Sequence, residues 1–368
     1  MPEPFKEFLN EAVVKSLSKA LANKDSTFPR VKFQNQILNT LSQLELKARV
    51  SLISEALAEH LPSSFPVACK LLLHSLPDHF EDETDGKSMN WMVWPMTMFV
   101  AEQGVDQRKI ALNTLKKLTC HFSAEFAVRP FLINEPAETL KVFMTWTKDP
   151  SEHVRRLVSE GSRPRLPWGE QLRPFVKNPQ PLIPLLEALK DDTSEYVRRS
   201  VSNHLNDISK DHPELVVKIA EKWQTDAGKN RNRLIRHGCR SLIKQGNKAC
   251  LKMLGYGKPE LKNTEIRIHP KKVSIGDSLV FRLSVTSTAE KRQDLIIDYR
   301  IHWVKSGGRQ TTRVFKWKNL KLISNQSVTL NKKHSLNPVT VRNYYPGIHR
   351  VEILINGLVV TETAFNLV

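Results

Sequence analysis

Apolar residues recur every three or four positions from the start of the chain to about residue 255. The pattern is clear in FQNQILNTLSQLELKARVSLISEALAEHLP at 33–62 and in QPLIPLLEALKDD at 180–192. This spacing places the apolar side chains on one face of an α-helix and therefore predicts a succession of amphipathic helices. Pro136 and Pro213 mark predicted helix starts, where the missing N–H of proline costs nothing.

From about residue 259 the pattern changes to β-branched runs broken by Gly, Asn and Asp, such as DLIIDYRIHWVK at 294–305. Short strands at this spacing predict a β-sandwich. Two glycines and a proline interrupt the helical pattern in LGYGKPELKN at 254–263. We therefore expect two domains, a helical one at 1–257 and a β-sandwich at 258–368.

The helical region contains an internal repeat. Aligning TKDPSEHVRRLVSEGSRPRL with LKDDTSEYVRRSVSNHLNDI superposes Val154 on Val197, 43 residues later, together with the two arginines that follow each valine. A third, weaker copy is NRLIRHGCRSLIKQG. Helix pairs at a period of roughly 40–47 residues are typical of HEAT-like solenoids, which present an extended concave surface.

The net charge is +18 and the isoelectric point is about 9.7, which favours a polyanionic partner, most often nucleic acid. A generally basic surface kept for solubility is the alternative. Cys69, Cys120, Cys239 and Cys250 form no CxxC pair, which argues against a zinc site or a disulfide framework. The sequence contains no long apolar run, and MPEPFKEFLN lacks the apolar stretch of a signal peptide, so we expect a cytoplasmic protein that does not span a membrane.

Polar residues in the repeat copies form rows with a spacing of four. Arg199, Asn203 and Asp207 form such a row in the second copy, Arg156 and Glu160 its counterpart in the first, and Arg236, Arg240 and Lys244 the row of the third. Stacked repeats would place these rows side by side, giving a basic surface interrupted by two carboxylates. An ordinary surface ion pair, worth about 0.3–0.5 kcal/mol, is the alternative for each Arg–Glu pair. Segment 229–258 has many Lys and Arg but no Asp or Glu, which favours phosphate contacts.

The β region is basic as well. It holds ten Lys and eight Arg against eight Asp and Glu over 259–368. A purely stabilising module would not need this charge, so we favour a second DNA clamp with Lys316, Lys318, Lys321 and Arg342 as candidate contacts.

Four segments resemble the DNA alkylation repair family of HEAT-like-repeat DNA glycosylases, the AlkC/AlkD type. They are VRRLVSEGSRPRLPW, VRRSVSNHLNDISKDHPE, RHGCRSLIKQG and WMVWPMTMFVAEQG. The match is to the AlkC branch, some of whose members carry an immunoglobulin-like domain after the repeats. The resemblance implies a mainly α fold, with a HEAT-like α-solenoid followed by an immunoglobulin-like β-sandwich.

The resemblance also implies an activity. The family hydrolyses the N-glycosidic bond of cationic alkylated bases, chiefly 3-methyladenine and, in this branch, 3-methylcytosine, and thereby starts base excision repair. It is thought to do so without flipping the base. No lysine nucleophile motif stands out, so we expect a monofunctional hydrolase without a lyase step. The expected partner is double-stranded DNA with alkylated bases, bound by a monomer at the bacterial nucleoid, with no cofactor.

Residue-by-residue carry-over assigns the family's catalytic carboxylate to Glu160 and its stacking tryptophan to Trp168. Asp207 and Glu125 match further acidic positions of the AlkC branch. A carboxylate beside the anomeric carbon would stabilise positive charge on the sugar and orient a water. Trp168 could instead simply staple the edge of a repeat. The predicted DNA contacts are Arg155, Arg156, Arg163, Arg165, Arg198, Arg199, Asn203, His204, Arg236, His237, Arg240 and Lys244.

Two other hypotheses about function stay open. Under these, the protein is either a non-catalytic protein that binds damaged or branched DNA, or a protein-binding scaffold of HEAT-like repeats. Glu160 together with Trp168 favours the glycosylase over the binder, because a pure binder needs neither. His204 and His237 have no partner histidines at ligand spacing, so no metal site is predicted.

Overall fold

The computed structural model describes residues 4–76, 90–338 and 343–368. Contacts within the chain divide it into two compact units, Met1–Asp211 and His212–Val368. The predicted boundary near residue 257 lies where helices give way to strands, whereas the contacts group the helices after Asp211 with the strands.

The first unit is helical. After a 3-10 turn at Phe5–Phe8, its helices are α1 (Glu11–Lys24), α2 (Arg30–Leu41), α3 (Leu46–His60), α4 (Phe65–His74), α5 (Val93–Gln103), α6 (Arg108–Leu118), α7 (Arg129–Asn134), α8 (Pro136–Trp146), α9 (Glu152–Gly161), α10 (Arg173–Lys177), α11 (Ile183–Leu189) and α12 (Glu195–Ile208). In the part of the chain that is described, no helix has the length and apolar character needed to cross a membrane.

The second unit begins with four helices and continues as strands. These elements are α13 (Pro213–Gln224), α14 (Lys229–Gly238), α15 (Arg240–Gln245), α16 (Lys248–Met253), β1 (Leu261–His269), β2 (Lys272–Val273), β3 (Ser278–Ser287), β4 (Gln293–Val304), β5 (Gln310–Leu322), β6 (Ser327–Ser335), β7 (Gly347–Ile355) and β8 (Leu358–Leu367). The strands form a three-stranded sheet in the order β1-β3-β6 and a five-stranded sheet in the order β2-β8-β7-β4-β5.

The core of the β region has the two-residue period predicted for strands. Leu279, Phe281 and Leu283 of β3 belong to the same buried cluster as Ile297 and Tyr299 of β4. Alternate residues of a strand point to the same face, so one face of each sheet supplies this core.

The repeat identified in the sequence is a repeat in the structure. α9 and α12 begin 43 residues apart, at Glu152 and Glu195, and the two helices pack against each other. The turn before each helix is closed in the same way, because an Asp side chain accepts a hydrogen bond from a Ser backbone N–H two residues later, at 2.9 Å in both copies. Equal local sequence therefore produces equal local geometry.

The first arginine of each VRR triplet clamps this turn. Arg155 Nη1 donates to the carbonyl oxygens of Asp149 and Pro150, at 2.8 and 2.9 Å. Arg198 Nη1 donates to the corresponding carbonyl oxygens of Asp192 and Thr193. Arg155 Nε also donates to the Asp192 carboxylate at 2.6 Å, so the first copy is tied to the turn of the second.

A close contact between two glycines joins α15 to the hairpin of β7 and β8 within the second unit. Gly246 ends α15 with φ +72°, and Gly357 occupies the hairpin turn with φ +77°. A β-carbon on Gly357 would lie 2.6 Å from the Gly246 Cα and 2.9 Å from Leu251 Cδ1. Only glycine satisfies both the left-handed backbone and this approach.

Gly357→Ala should lower the free energy of unfolding by at least about 2 kcal/mol, because a positive φ and overpacking each cost about 1–3 kcal/mol. Urea unfolding followed by circular dichroism measures this. Gly257→Ala is the matched control, since Gly257 has open space around its Cα and no positive φ. Equal stability of the two variants would contradict the contact.

His204 of α12 is packed against α9 and has no exposed surface. Its Nδ1 donates to the Ser159 carbonyl oxygen at 2.9 Å, because a carbonyl can only accept. Burial lowers the pKa of His204 to about 4, although Asp207 opposes this effect. The imidazole is therefore neutral at pH 7 and serves the packing of the two repeat copies.

This burial predicts a pH dependence of stability. Between pH 6.5 and 4 the unfolded state binds a proton on His204 and the folded state does not, so stability falls as the pH falls through that window. The loss from this group is about 3 kcal/mol. His204→Asn removes the titration, so its unfolding free energy should depend less steeply on pH than that of the wild type. Parallel curves for the two proteins would show that His204 titrates normally.

Candidate active site

A cavity of about 450 Å³ opens in the first unit beside the end of α9. Aromatic rings and ionic groups make up most of its lining. The aromatic ones are Trp91, Trp94, Phe122, Phe126, Trp168 and Tyr196, and the ionic ones are Glu125, Arg156, Glu160 and Arg163. The structure therefore brings together three of the four residues predicted to be catalytic, namely Glu125, Glu160 and Trp168.

Glu160 lies at the last turn of α9 and is only 5% exposed. One carboxylate oxygen, Oε1, accepts from Arg163 Nη1 at 2.6 Å and lies 3.8 Å from Arg156 Nη2. The other, Oε2, accepts from Ser200 Oγ at 2.5 Å. Two guanidinium groups and a hydroxyl thus compensate a carboxylate that burial alone would disfavour.

Asp207 is more deeply buried, at 1% exposure, and does not line the cavity. Its carboxylate accepts from Arg163 Nε at 2.7 Å and from Lys210 Nζ at 2.9 Å. Burial lowers the pKa of Arg163, but Asp207 and Glu160 outweigh it and raise that pKa above the ordinary value. Asp207 therefore acts on the cavity through Arg163.

Glu125 stands on the other side of the arginines. Its Oε2 accepts from Arg156 Nη1 at 2.9 Å and from Ser123 Oγ at 2.7 Å. The Arg156 guanidinium also lies over the ring of Tyr196, 4.7 Å from the centroid. The ionic groups thus form one alternating row, Glu125–Arg156–Glu160–Arg163–Asp207, which we name the ionic row.

Aromatic rings line the same cavity as the ionic row. Trp94 stacks on both Phe122 and Phe126, at centroid distances of 5.8 and 5.5 Å, and Trp91 adjoins Trp94 and Phe122. Trp168, at the rim, is 60% exposed. Electron-rich rings and carboxylates in one cavity suit a cation with a flat, partly apolar body.

The loop between Glu160 and Trp168 is anchored by a buried arginine. Arg129 Nη1 donates to the carbonyl oxygens of Gly161 and Arg163 at 2.9 and 3.0 Å, and its Nε donates to that of Glu170 at 2.7 Å. Burial lowers the pKa of Arg129 to about 10. One guanidinium therefore holds both ends of this loop.

The predicted DNA contacts of the first unit fall into two groups. Arg155, Arg156, Arg163, Arg165 and Arg198 have partners inside the unit, and for Arg165 this is a bidentate pair with Asp211 at 2.7 and 2.8 Å. Phosphate contacts by these five stay a prediction, one that requires the exchange of an internal partner.

The other predicted contacts of this unit lie on α12. Arg199 is exposed and Asn203 is half-buried. His204 is wholly buried, so no DNA group reaches it without a change in helix packing. Arg199 is therefore the position of this row that best suits a phosphate contact.

The predicted contacts of the second unit line a separate cavity of about 420 Å³ between α14, α15, β4 and β5. Arg236, His237, Arg240 and Lys244 line it together with Lys316. Asp298 lies there as well, and burial raises its pKa to about 6 against the opposing effect of Lys316. Lys318 and Lys321 are exposed on β5, and Arg342 lies outside the described residues.

Several site residues were not predicted as such. Trp91 and Trp94 lie in WMVW, which counted only as part of a segment that resembles the family, and Tyr196 precedes the VRR triplet without a distinctive pattern. Ser200 and Ser123, which bind the two glutamates, carry no signal because Ser is common in helices and turns. Over the described residues, no three or more His, Cys, Asp or Glu side chains are grouped so that they could hold a metal ion.

The chain is similar to known proteins over nearly its whole length. The family model for the C-terminal Ig-like domain of the uncharacterised protein YhaZ matches residues 262–368. The uncharacterized protein YhaZ of Bacillus subtilis (strain 168) is 33% identical over 364 residues, which cover 98% of this chain and 99% of YhaZ.

A solved structure is similar over its full length. It is the alkylpurine DNA glycosylase AlkC of Pseudomonas fluorescens bound to DNA containing an abasic site analog, with a TM-score of 0.92, 34% identity and 100% coverage of both chains. These matches confirm the predicted fold class, a helical region followed by an immunoglobulin-like β domain. The chain belongs to the AlkC branch of the DNA alkylation repair family.

Proposed function

We propose that this protein is a DNA glycosylase that hydrolyses the N-glycosidic bond of cationic alkylated bases and so starts their excision from duplex DNA. The observation that carries the proposal is the Glu160 carboxylate, held by two arginines in the wall of a cavity that aromatic rings also line. The full-length similarity to AlkC, a DNA glycosylase, supports the same activity class.

The chemistry needs only this chain's own residues and water. A base alkylated at a ring nitrogen leaves as a neutral molecule, so no strong acid has to protonate it. The sugar becomes cationic as the bond breaks, and the transition state is stabilised by a negative charge near the anomeric carbon. The ionic row supplies that charge in a site largely screened from solvent, where an electrostatic interaction is stronger than in water.

The Glu160 carboxylate can accept further hydrogen bonds from a water or from the sugar. Each carboxylate oxygen offers about two lone-pair sites. Oε1 accepts from Arg163 at 2.6 Å and Oε2 from Ser200 at 2.5 Å, so acceptor capacity is left for a water or for the sugar. Glu160 would stabilise the cationic sugar and orient the attacking water, with Glu125 as a second carboxylate on the same cavity. Asp207 would act through Arg163 by fixing the guanidinium that holds Glu160.

The proposed substrates are 3-methyladenine and 3-methylcytosine, as the family resemblance implies. Both carry a positive charge on a flat ring, which an exposed indole such as Trp168 can attract by a cation–π interaction. We further propose that hydrolysis proceeds without a lyase step and without extrusion of the base. Trp168 stands at the rim, where it can meet a base that remains in the duplex.

DNA would be held by positive charge outside the ionic row. The chain carries a net charge of +18, and Arg199 on α12 is exposed. In the second unit, Arg236, Lys244 and Lys316 line a basic cavity, which supports the proposal of an accessory DNA clamp. Each unit thus offers its own candidate phosphate contacts.

Glu160→Gln should slow release of 3-methylcytosine by about 10²-fold or more, equivalent to about 2.7 kcal/mol of transition-state stabilisation. DNA affinity should hold or improve, because the change removes a negative charge near the DNA. Single-turnover release from methylated duplex, followed by chromatography, measures the rate. Glu152→Gln, an exposed acid at the start of α9, is the control and should react at the wild-type rate. Wild-type protein that binds methylated DNA but releases no base would support the non-catalytic binder instead.

Arg199→Ala should weaken binding to any duplex and reduce the slope of log affinity against log salt concentration by about one, because one phosphate contact is lost. Fluorescence anisotropy titrations at four or more salt concentrations measure the slope. Arg30→Ala removes the same charge from α2 and serves as the control for net charge. If both variants keep the wild-type slope, DNA does not contact Arg199.

A further inference from the structure

Trp168 has a backbone conformation that its own side chain disfavours. Its φ is +65°, in the left-handed region, where the β-carbon of an L-residue crowds the following carbonyl. The indole is 60% exposed, so burial of the ring does not hold the residue in place. A conformation of this kind persists only when surrounding contacts impose it.

A local hydrogen bond closes a turn with Pro167 and Trp168 at its centre, and other bonds fix the flanks of the loop. The Gly169 N–H donates to the Leu166 carbonyl oxygen at 3.1 Å, and the Leu172 N–H donates to that of Pro164 at 3.1 Å. The Arg129 guanidinium binds the carbonyl oxygens on either side, as described above. None of these bonds involves a polar group of Trp168.

The Trp168 carbonyl is bound from a distant part of the chain. Lys47, at the start of α3 and 121 residues away, donates from Nζ to the Trp168 carbonyl oxygen at 2.5 Å. The bond is charge-assisted, which makes it stronger than a neutral hydrogen bond. The ring of Phe5 also lies beside the indole, edge-on at 75° with a centroid distance of 6.2 Å.

We infer that Lys47 is a positioning residue for the glycosylase reaction, which fixes the indole of Trp168 at the rim of the active-site cavity. The inference rests on the proposed function, in which Trp168 meets the lesion. The peptide that follows Trp168 is held by the ammonium group, and the left-handed φ then sets the direction of the ring. Without that bond, only the local turn contacts would hold the tip of the loop, and the indole could move from its place.

The position of Lys47 separates this role from a purely structural one. Lys47 is exposed and makes this bond at the surface, so loss of its ammonium leaves the buried core unchanged. The effect should therefore appear in the rate of base release and in the mobility of Trp168, rather than in stability. A displacement of the ring by about 1 Å is enough to slow a reaction substantially.

The test compares Lys47→Met with Lys47→Arg, which keeps a charged donor, and with Lys19→Met, which removes the same charge from the exposed face of α1. Lys47→Met should lower the single-turnover rate of 3-methylcytosine release by about 10-fold. Lys47→Arg should recover most of the rate, and Lys19→Met should match the wild type. Affinity for a duplex with an abasic-site analogue should change by less than about threefold, since one rim charge is removed.

A double-mutant cycle with Trp168→Ala asks whether Lys47 acts through the indole. In that background Lys47→Met should cause no further loss, because the group it positions is already gone. If the two losses multiply, Lys47 acts on the DNA directly and the inference is overturned.

A spectroscopic measurement tests the inference without relying on catalysis. The fluorescence anisotropy decay of Trp168 is obtained as the difference between a protein and its Trp168→Phe counterpart. It should show faster indole motion in Lys47→Met than in the wild type or in Lys47→Arg. Unchanged motion would overturn the inference. If wild-type protein releases no base, the proposed function fails, while this measurement still decides whether Lys47 holds Trp168.

Discussion

The Arg163 guanidinium is the interaction on which the candidate site depends, because it joins Glu160 of one repeat copy to Asp207 of the next. All three side chains are almost completely buried. Burying two carboxylates there without a cation between them would be strongly unfavourable. Removing one member of a buried ion pair commonly costs about 3–5 kcal/mol, so the guanidinium that pairs with Glu160 also holds α9 and α12 in register. The ion pairs of the candidate site are therefore also the bonds that pack the two repeat copies together.

The sequence predicted the class of fold and the neighbourhood of the site, because both depend on local pattern. Equal VRR triplets indicated equal helices, and Glu160 and Trp168 indeed line one cavity. The hydrogen-bond partners of individual arginines could not be predicted from local pattern. The VRR triplets place Arg155 and Arg198 on their helices, but both bind backbone carbonyls of the preceding turns, which a sequence pattern does not reveal. Lys47 is a stronger case, since no periodicity links it to a carbonyl 121 residues away.

The boundary between the two compact units could not be predicted from the sequence either. Composition changes near residue 257, yet the helices after Asp211 share a compact unit with the strands. The contact between Gly246 and Gly357 explains part of this grouping, because two backbones meet there without side chains between them. The only sequence signal of this contact is two glycines. Because glycine is also common in ordinary turns, the contact could not be predicted from them.

The bond from Arg155 to Asp192 has a consequence for protein engineering. Arg155 completes its own turn with the carbonyls of Asp149 and Pro150, but it takes its carboxylate partner from the turn of the following copy. A repeat excised or duplicated as a cassette would carry the arginine and leave its acid behind, or the reverse. A cut directly after Asp192 would keep Arg155 with its acid but would separate Asp192 from Ser194 and Arg198, so an exchanged module has to include the whole turn together with α9.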